Sequence, residues 1–229
     1  MTVVASHQLS NLQTILFDLD GTIADSKPGI YASVEYLLRE LGHQTDPAYD
    51  LRFILGPPAE EWIEKVLGHY GDNRFTEGVA LYRKHQNEGG VLISSIYPQI
   101  PELIAGLRQH GVELFVATAK RTEVARHKLA HFGVDGLFTR IHGSTPDGRR
   151  NDKAVLIQEV LELERLDPDK TAMLGDRLYD MRGARRNGLM ALGALWGYGS
   201  EQELVENGAN RCFATPKDLL SAFAASSKD

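Results

Sequence analysis

Two aspartates, Asp18 and Asp20, stand one residue apart in Phe17-Asp18-Leu19-Asp20-Gly21-Thr22, directly after the apolar run Thr14-Ile15-Leu16-Phe17. Alternate residues of an extended chain project to the same side, so a strand ending here brings two carboxylates together. Adjacent carboxylates repel, which calls for a cation or a shared proton. Gly21 permits a tight turn that brings backbone N–H groups toward an anion. Taken alone, this Asp-x-Asp is equally an ordinary solvated loop. Three further places add to it. Thr118 offers a hydroxyl at the end of the apolar run Val112 to Ala117. Lys153 opens a helix, where the macrodipole disfavours a cation and a nearby anion would account for it. Gly175-Asp176-Arg177-Leu178-Tyr179-Asp180 follows Ala172-Met173-Leu174 and supplies two more acids. Singly, Thr118 reads as a cap, Lys153 as a solvated side chain and Asp176 as a helix N-cap. Together they present acids, a hydroxyl and a lysine to one edge.

Bringing residues from 18 to 180 together requires a sheet whose strand ends converge. Short apolar runs at 14–17, 112–117, 172–174 and 190–195 predict buried strands. Helical patterns lie at 100–110, 121–132, 152–164 and 178–187. This alternation from residue 97 onward predicts right-handed βαβ units, an α/β fold with a doubly wound parallel sheet, and ligands at the carboxyl edge. Residues 28–95 break the alternation. Tyr31, Val34, Leu37, Leu38 and Leu41 have helical spacing, as do Trp62, Ile63, Val66 and Leu67 after Pro57-Pro58, and 79–85 looks helical too. The expectation is a core at 1–27 and 96–229 interrupted by a helical insert at 28–95, with Pro28 and Tyr97-Pro98 as hinges. Residues 1–12 read as a frayed tail.

Composition narrows the function classes. The chain has 229 residues, 42% of them hydrophobic and 24% charged, which fits a globular protein with a sizeable core. No apolar stretch approaches the ~20 residues of a membrane helix, and no basic segment followed by an apolar one opens the chain, so a cytoplasmic location is expected. The single cysteine, Cys212, excludes an internal disulfide and a multi-cysteine zinc site. A net charge of −6 argues against a nucleic-acid polymer as partner. Two decoys fall away. His127 and His131 have i, i+4 spacing but lack the glutamate of a zincin, and a mundane helix surface is the better reading. Gly143 to Gly148 has P-loop glycine spacing, with Arg149-Arg150 where Lys and Ser/Thr belong.

The ordered set Asp18-x-Asp20-Gly21-Thr22, Thr118, Lys153 and Gly175-Asp176-x-x-x-Asp180 resembles the four motifs of the haloacid dehalogenase-like phosphatases, over roughly residues 14–215. The insert resembles that family's helical C1 cap. The stretches FDLDGTIADS (17–26), RFILGPP (52–58) and GYGS (197–200) look most like the phosphoglycolate phosphatase and 5′-nucleotidase-like branch. The resemblance implies hydrolysis of a small-molecule phosphomonoester with Mg²⁺. Asp18 would be the nucleophile that becomes an aspartyl-phosphate, and Asp20 the general acid and base. Thr118 and Lys153 would hold the phosphoryl group. Asp18, the carbonyl of Asp20, Asp176 and, through water, Asp180 would form the metal site. Gly21, Thr22, Ala119 and Lys120 are expected at the substrate, with Arg52 reaching it from the insert. Two alternatives remain open at this level: a phosphomutase of the β-phosphoglucomutase type, disfavoured by Gly175-Asp176 in place of Glu-Asp, and a non-catalytic phospho-ligand binding protein.

Overall fold

The computed structural model describes residues 9–145 and 148–226. Six parallel strands form the central sheet: β1 (Thr14–Phe17), β4 (Glu113–Arg121), β5 (Arg140–Ser144), β6 (Thr171–Gly175), β7 (Met190–Ala194) and β8 (Arg211–Phe213), in the order β5-β4-β1-β6-β7-β8. β1 is central. Phe17 lies opposite Val116 on one side and Leu174 on the other, so the ends of β1, β4 and β6 sit side by side at the point where the strand order reverses.

Strand alternation divides the core into two layers. Ile15, Phe17, Leu114, Val116 and Leu174 pack against α4 (Ile100–Gln109), α5 (Thr122–His131) and α9 (Pro216–Ser226). Leu16, Phe115, Ala117 and Met173 face the other way, onto α6 (Lys153–Glu164), α7 (Leu178–Arg186) and α8 (Glu201–Glu206). A sheet covered on both faces explains why its strands read as continuous apolar runs.

Between β1 and β4 the chain forms α1 (Lys27–Glu40), α2 (Ala59–His69) and α3 (Phe75–Asn87). Val34, Leu37 and Leu38 of α1 pack with Trp62, Ile63, Val66 and Leu67 of α2 and with Val79 and Tyr82 of α3, a hydrophobic cluster separate from the two sheet layers. An antiparallel ribbon of β2 (Ala24–Asp25) and β3 (Ser95–Ile96) ties the start of this segment to its end. Among the described residues, no helix is long and apolar enough to cross a membrane.

Several expectations change. Residues 1–8 of the expected frayed tail lie outside the described residues, and Leu9 and Leu12 are core residues on the α4 side. Pro28, expected as a hinge, sits in the first turn of α1, where a missing N–H costs nothing. β4 continues four residues beyond the predicted end at Ala117, with its register against β5 shifting between Ala117 and Arg121. An irregularity of this kind re-aims side chains, and it falls on Thr118, Ala119 and Lys120. β5 and β8 went unread because Arg140–Ser144 contains His142 and Arg211–Phe213 is three residues long.

Candidate active site

β1 ends with the Asp18 N–H donating to the Leu174 carbonyl at 2.9 Å, which fixes Asp18 at the sheet edge. The chain then turns sharply, with the Ile23 and Ala24 N–H groups donating to the Leu19 carbonyl. Gly21 has φ +88°, and a Cβ there would fall 2.2 Å from Asp176 Oδ2, so both conformation and space demand glycine. Gly21 and Thr22, expected at the substrate, are placed here against Asp176 and do not line the cavity described below. Gly21 packs on Asp176, and the fully buried Thr22 donates its hydroxyl to Asp176 Oδ1 at 3.1 Å. The Tyr198 N–H donates to Asp176 Oδ2 at 2.8 Å. Asp180, on the first turn of α7, accepts the Arg177 N–H at 3.1 Å, so Asp180 rather than Asp176 does the capping there.

Asp18, Asp176 and Asp180 are all buried, with one carboxylate oxygen of each lying within 4.8 Å of the others. Lys153 answers them. Its Nζ donates to Asp18 Oδ1 at 2.8 Å and to the Ala117 carbonyl at 2.9 Å, and lies 2.8 Å from Asp180 Oδ1. Asp180 Oδ1 nevertheless accepts no well-directed hydrogen bond. Three carboxylates against one ammonium leave an anionic excess among buried side chains. Burial, partly offset by Lys153 and reinforced by Asp180, raises Asp18 to about 6. Burial, then repulsion from Asp180 and Asp18, pushes Asp176 well above the carboxylate range. Burial works against the Lys153 charge, but Asp18 and Asp180 overcome it and hold its pKa above the ordinary lysine value. An all-oxygen, anion-rich cluster with an unsatisfied carboxylate oxygen fits a hard divalent cation.

Asp20 is treated differently. Lys120 Nζ lies 2.9 Å from Asp20 Oδ2, and Lys128 Nζ donates to Asp20 Oδ1 at 3.2 Å. The Ser26 hydroxyl also donates to Oδ1, and Lys128 donates to the Ser26 oxygen. Burial opposes the Asp20 charge, but the two lysines and Ser26 outweigh it and hold the carboxyl far below its usual range. Burial draws Lys128 down to about 8 despite Asp20.

A cavity of about 340 Å³ opens over this edge. Asp18, Asp20, Thr118, Ala119 and Lys120 line its sheet side, and Pro57, Pro58, Trp62 and Tyr82 line the side made by the helical segment. Burial pushes the Tyr82 hydroxyl up to about 12, with the charges of Lys120 and Asp20 acting on it. The structure therefore brings Asp18, Asp20, Thr118, Ala119, Lys120, Lys153, Asp176 and Asp180 to one edge. Arg52 is not among them. Its side chain is 81% exposed and pairs with Asp50 at 2.7 Å, while Ile54 and Gly56 to Pro58 of the same loop reach the cavity.

Sequence reasoning missed Lys128, Ser26, Tyr82 and Tyr198. Lys128 stands between the two decoy histidines, which are exposed, and shares the buried face of α5 with Ala125 and Leu129. A lysine at i+3 from one apolar position and adjacent to another was the available signal. Arg149 and Arg150 pair with Glu159 at the α6 side, and part of the Gly143–Gly148 stretch lies outside the described residues.

The model of the haloacid dehalogenase-like hydrolases matches residues 15–194, spanning Asp18 through Asp180. The chain belongs to that family. Among curated relatives, a 5′-nucleotidase of Pseudomonas aeruginosa is 38% identical over 190 residues, covering 83% of this chain and 86% of the relative. A phosphoglycolate phosphatase of Aquifex aeolicus is 32% identical over 187 residues, covering 82% and 86%. A solved structure of protein tyrosine kinase A from Mycobacterium tuberculosis superposes with a TM-score of 0.78 at 33% identity, covering 93% of this chain and 98% of that one. The match spans 63% of that kinase's curated length. The chain is thus a haloacid dehalogenase-like hydrolase whose relatives carry phosphatase, nucleotidase and kinase names on one fold.

Proposed function

We propose that this hydrolase is a Mg²⁺-dependent phosphomonoesterase for small phosphorylated metabolites, acting through an aspartyl-phosphate on Asp18. The observation that carries the reading is Asp18 itself: a buried carboxylate on the cavity floor, 2.8 Å from Lys153 Nζ, with a second aspartate facing the same cavity. A carboxylate nucleophile divides ester hydrolysis into two easier steps. An Asp18 oxygen would form a bond to phosphorus as the ester oxygen leaves with the bonding pair. Water would then displace Asp18, releasing phosphate.

Lys153 would orient Asp18 and, with the Thr118 hydroxyl, bind the equatorial oxygens of the phosphoryl group. Asp18, Asp176, Asp180 and the Asp20 carbonyl would hold Mg²⁺. When bound, the ion would offset the repulsion between Asp18 and a phosphate dianion and stabilise charge on the transferring group. Asp20 would give a proton to the leaving oxygen and take one from the attacking water. With both lysines on it, Asp20 is ionised, so donation requires one of them to move off. Lys120 faces the cavity, and an entering phosphate supplies a competing anion for it.

We place the core at 1–27 and 96–229, with 28–95 as a cap that closes over the cavity and supplies the wall against the leaving group. Phosphoglycolate and nucleoside 5′-monophosphates are the substrates suggested by the relatives' names. Trp62 and Tyr82 on that wall favour the larger, planar leaving group of a nucleotide. The test is phosphate release from phosphoglycolate, nucleoside 5′-monophosphates and 4-nitrophenyl phosphate, with Mg²⁺ and with chelator. Release that depends on Mg²⁺ is expected. Absence of release from every ester, or undiminished release in chelator, would overturn the reading.

A further inference from the structure

The least expected group near the site is Lys128. It is a lysine on the inward face of α5, 1% exposed, surrounded by core positions and absent from the cavity wall. Burying an ammonium is expensive and is sustained only by partners that use it fully. Lys128 has two, the Asp20 Oδ1 atom at 3.2 Å and the Ser26 oxygen. Ser26 in turn donates to the same Oδ1. Ser26 is itself fixed: its N–H and that of Lys27 donate to the Tyr198 hydroxyl at 2.7 and 2.9 Å, and that hydroxyl donates to Asp25 Oδ1 at 3.0 Å.

The two oxygens of Asp20 therefore have partners of different kinds. Oδ1 is held from behind by groups that the cavity does not reach. Among the described residues Oδ2 meets only Lys120, which lines the cavity and is open to competition from a bound anion. A carboxylate clamped through one oxygen cannot rotate about its Cβ–Cγ bond without losing both partners. Its other oxygen then stays directed at the cavity when Lys120 departs.

We propose that Lys128, with Ser26, is a positioning residue for Asp20. It locks Oδ1 so that Oδ2 alone faces the leaving group and the hydrolytic water. Lys120 is the exchangeable partner and Lys128 the permanent one. The kinetic part of this inference rests on the phosphatase reading above. The structural part stands on the geometry of the free protein.

Lys128→Met tests it, because methionine keeps an unbranched stem in the buried slot and removes the ammonium. Asp20 keeps Lys120, so the fold retains a partner for the carboxylate. The readout is kcat/KM, which reports the first chemical step, on two esters. An alkyl phosphomonoester needs a proton on its leaving oxygen, whereas 4-nitrophenolate leaves without one. Lys128→Met is expected to lower kcat/KM about tenfold or more for the alkyl ester, a share of the ~10²–10⁴ that general acid–base catalysis supplies, and less than about twofold for the nitrophenyl ester. Ser26→Ala is expected to show the same selectivity with a smaller loss. Equal losses on both esters, or none, would overturn the proposal. A crystal structure of Lys128→Met with inorganic phosphate bound, to draw Lys120 off Asp20, reads the claim without turnover, so inactivity of the wild type toward both esters would count against the phosphatase reading alone. The expected result is an Asp20 carboxylate rotated or split between orientations. A carboxylate left in place would overturn the positioning role.

Discussion

Asp18 and Asp20 are the same residue type, two positions apart at one strand end, and their surroundings push them in opposite directions. Around Asp18, three buried carboxylates share one lysine, and Asp18 is raised to about 6. Around Asp20, one carboxylate faces two lysines and a serine hydroxyl, and its pKa is driven far below the ordinary value. Paired titratable groups with divergent environments mark a division of chemical labour. On the proposed reading the first cluster, anionic beyond its one lysine, accepts further positive charge from a metal ion, whereas the second already holds its cations and gives one up during turnover.

The comparison breaks most sharply at the nucleophile. Asp18→Asn is expected to lower turnover at least ~10⁴-fold on every phosphomonoester, because on this reading the covalent intermediate forms on the Asp18 carboxylate. Near-wild-type rates for a folded Asp18→Asn protein would dissolve the distinction between the clusters. Asp20→Asn should cost less, ~10²–10⁴-fold, with the larger value on alkyl esters and the smaller on 4-nitrophenyl phosphate. A uniform loss would remove Asp20 from proton transfer.

Stability should divide the clusters by sign. The folded pKa of Asp18 lies above the ordinary 3.8, so the native state binds its proton more tightly than the unfolded chain. Its contribution favours the fold at low pH and is lost as pH rises from about 4 to about 6. Asp20 is the reverse, contributing stability above the ordinary carboxylate pKa that is lost as pH falls below it. In chelator near pH ~7, Asp18→Asn should therefore raise Tm, by a few degrees for an effect on the order of 2 kcal/mol, and Asp20→Asn should lower it. The rise for Asp18→Asn should shrink toward pH ~4 and disappear when Mg²⁺ is added to both proteins. Thermal scans across pH check both signs, and parallel shifts for the two variants would contradict the contrast.

The smallest effect belongs to Arg52. Exposed and paired with Asp50, it lies off the cavity. Arg52→Ala is expected to change stability by no more than ~0.5 kcal/mol and kcat/KM by less than about twofold on any ester. A substrate-selective loss would bring Arg52 back to the leaving group through movement of its loop.

What could be read from the chain follows the same division. The Asp18 cluster was legible because its members end apolar runs beside glycines, and strand ends of a parallel sheet converge. Lys153 declared itself by opening a helix where a cation is disfavoured. The support of Asp20 was not legible. Lys128 reaches it by a long side chain from the inner face of a helix whose outer face carries two histidines. Ser26 reads as helix flank, and Tyr198 meets Ser26 across 172 positions. The hydrogen bond from Thr22 to Asp176 was not legible either, because it joins residues 154 positions apart. The fold shows the same pattern: β1, β4, β6 and β7 announced themselves as apolar runs, while β5 was hidden by the buried His142, which pairs with Glu164 at 2.9 Å.

The central claim is that Asp18 carries the phosphoryl group during turnover. Its most direct test is rapid acid quench of the protein during hydrolysis of a radiolabelled phosphomonoester in Mg²⁺, followed by peptide mapping. The account predicts a hydroxylamine-labile label on the peptide containing Asp18, absent from Asp18→Asn and accumulating in any variant slowed in the second step. Phosphate released in a single turnover with no label on the protein, or label on another residue, would contradict it.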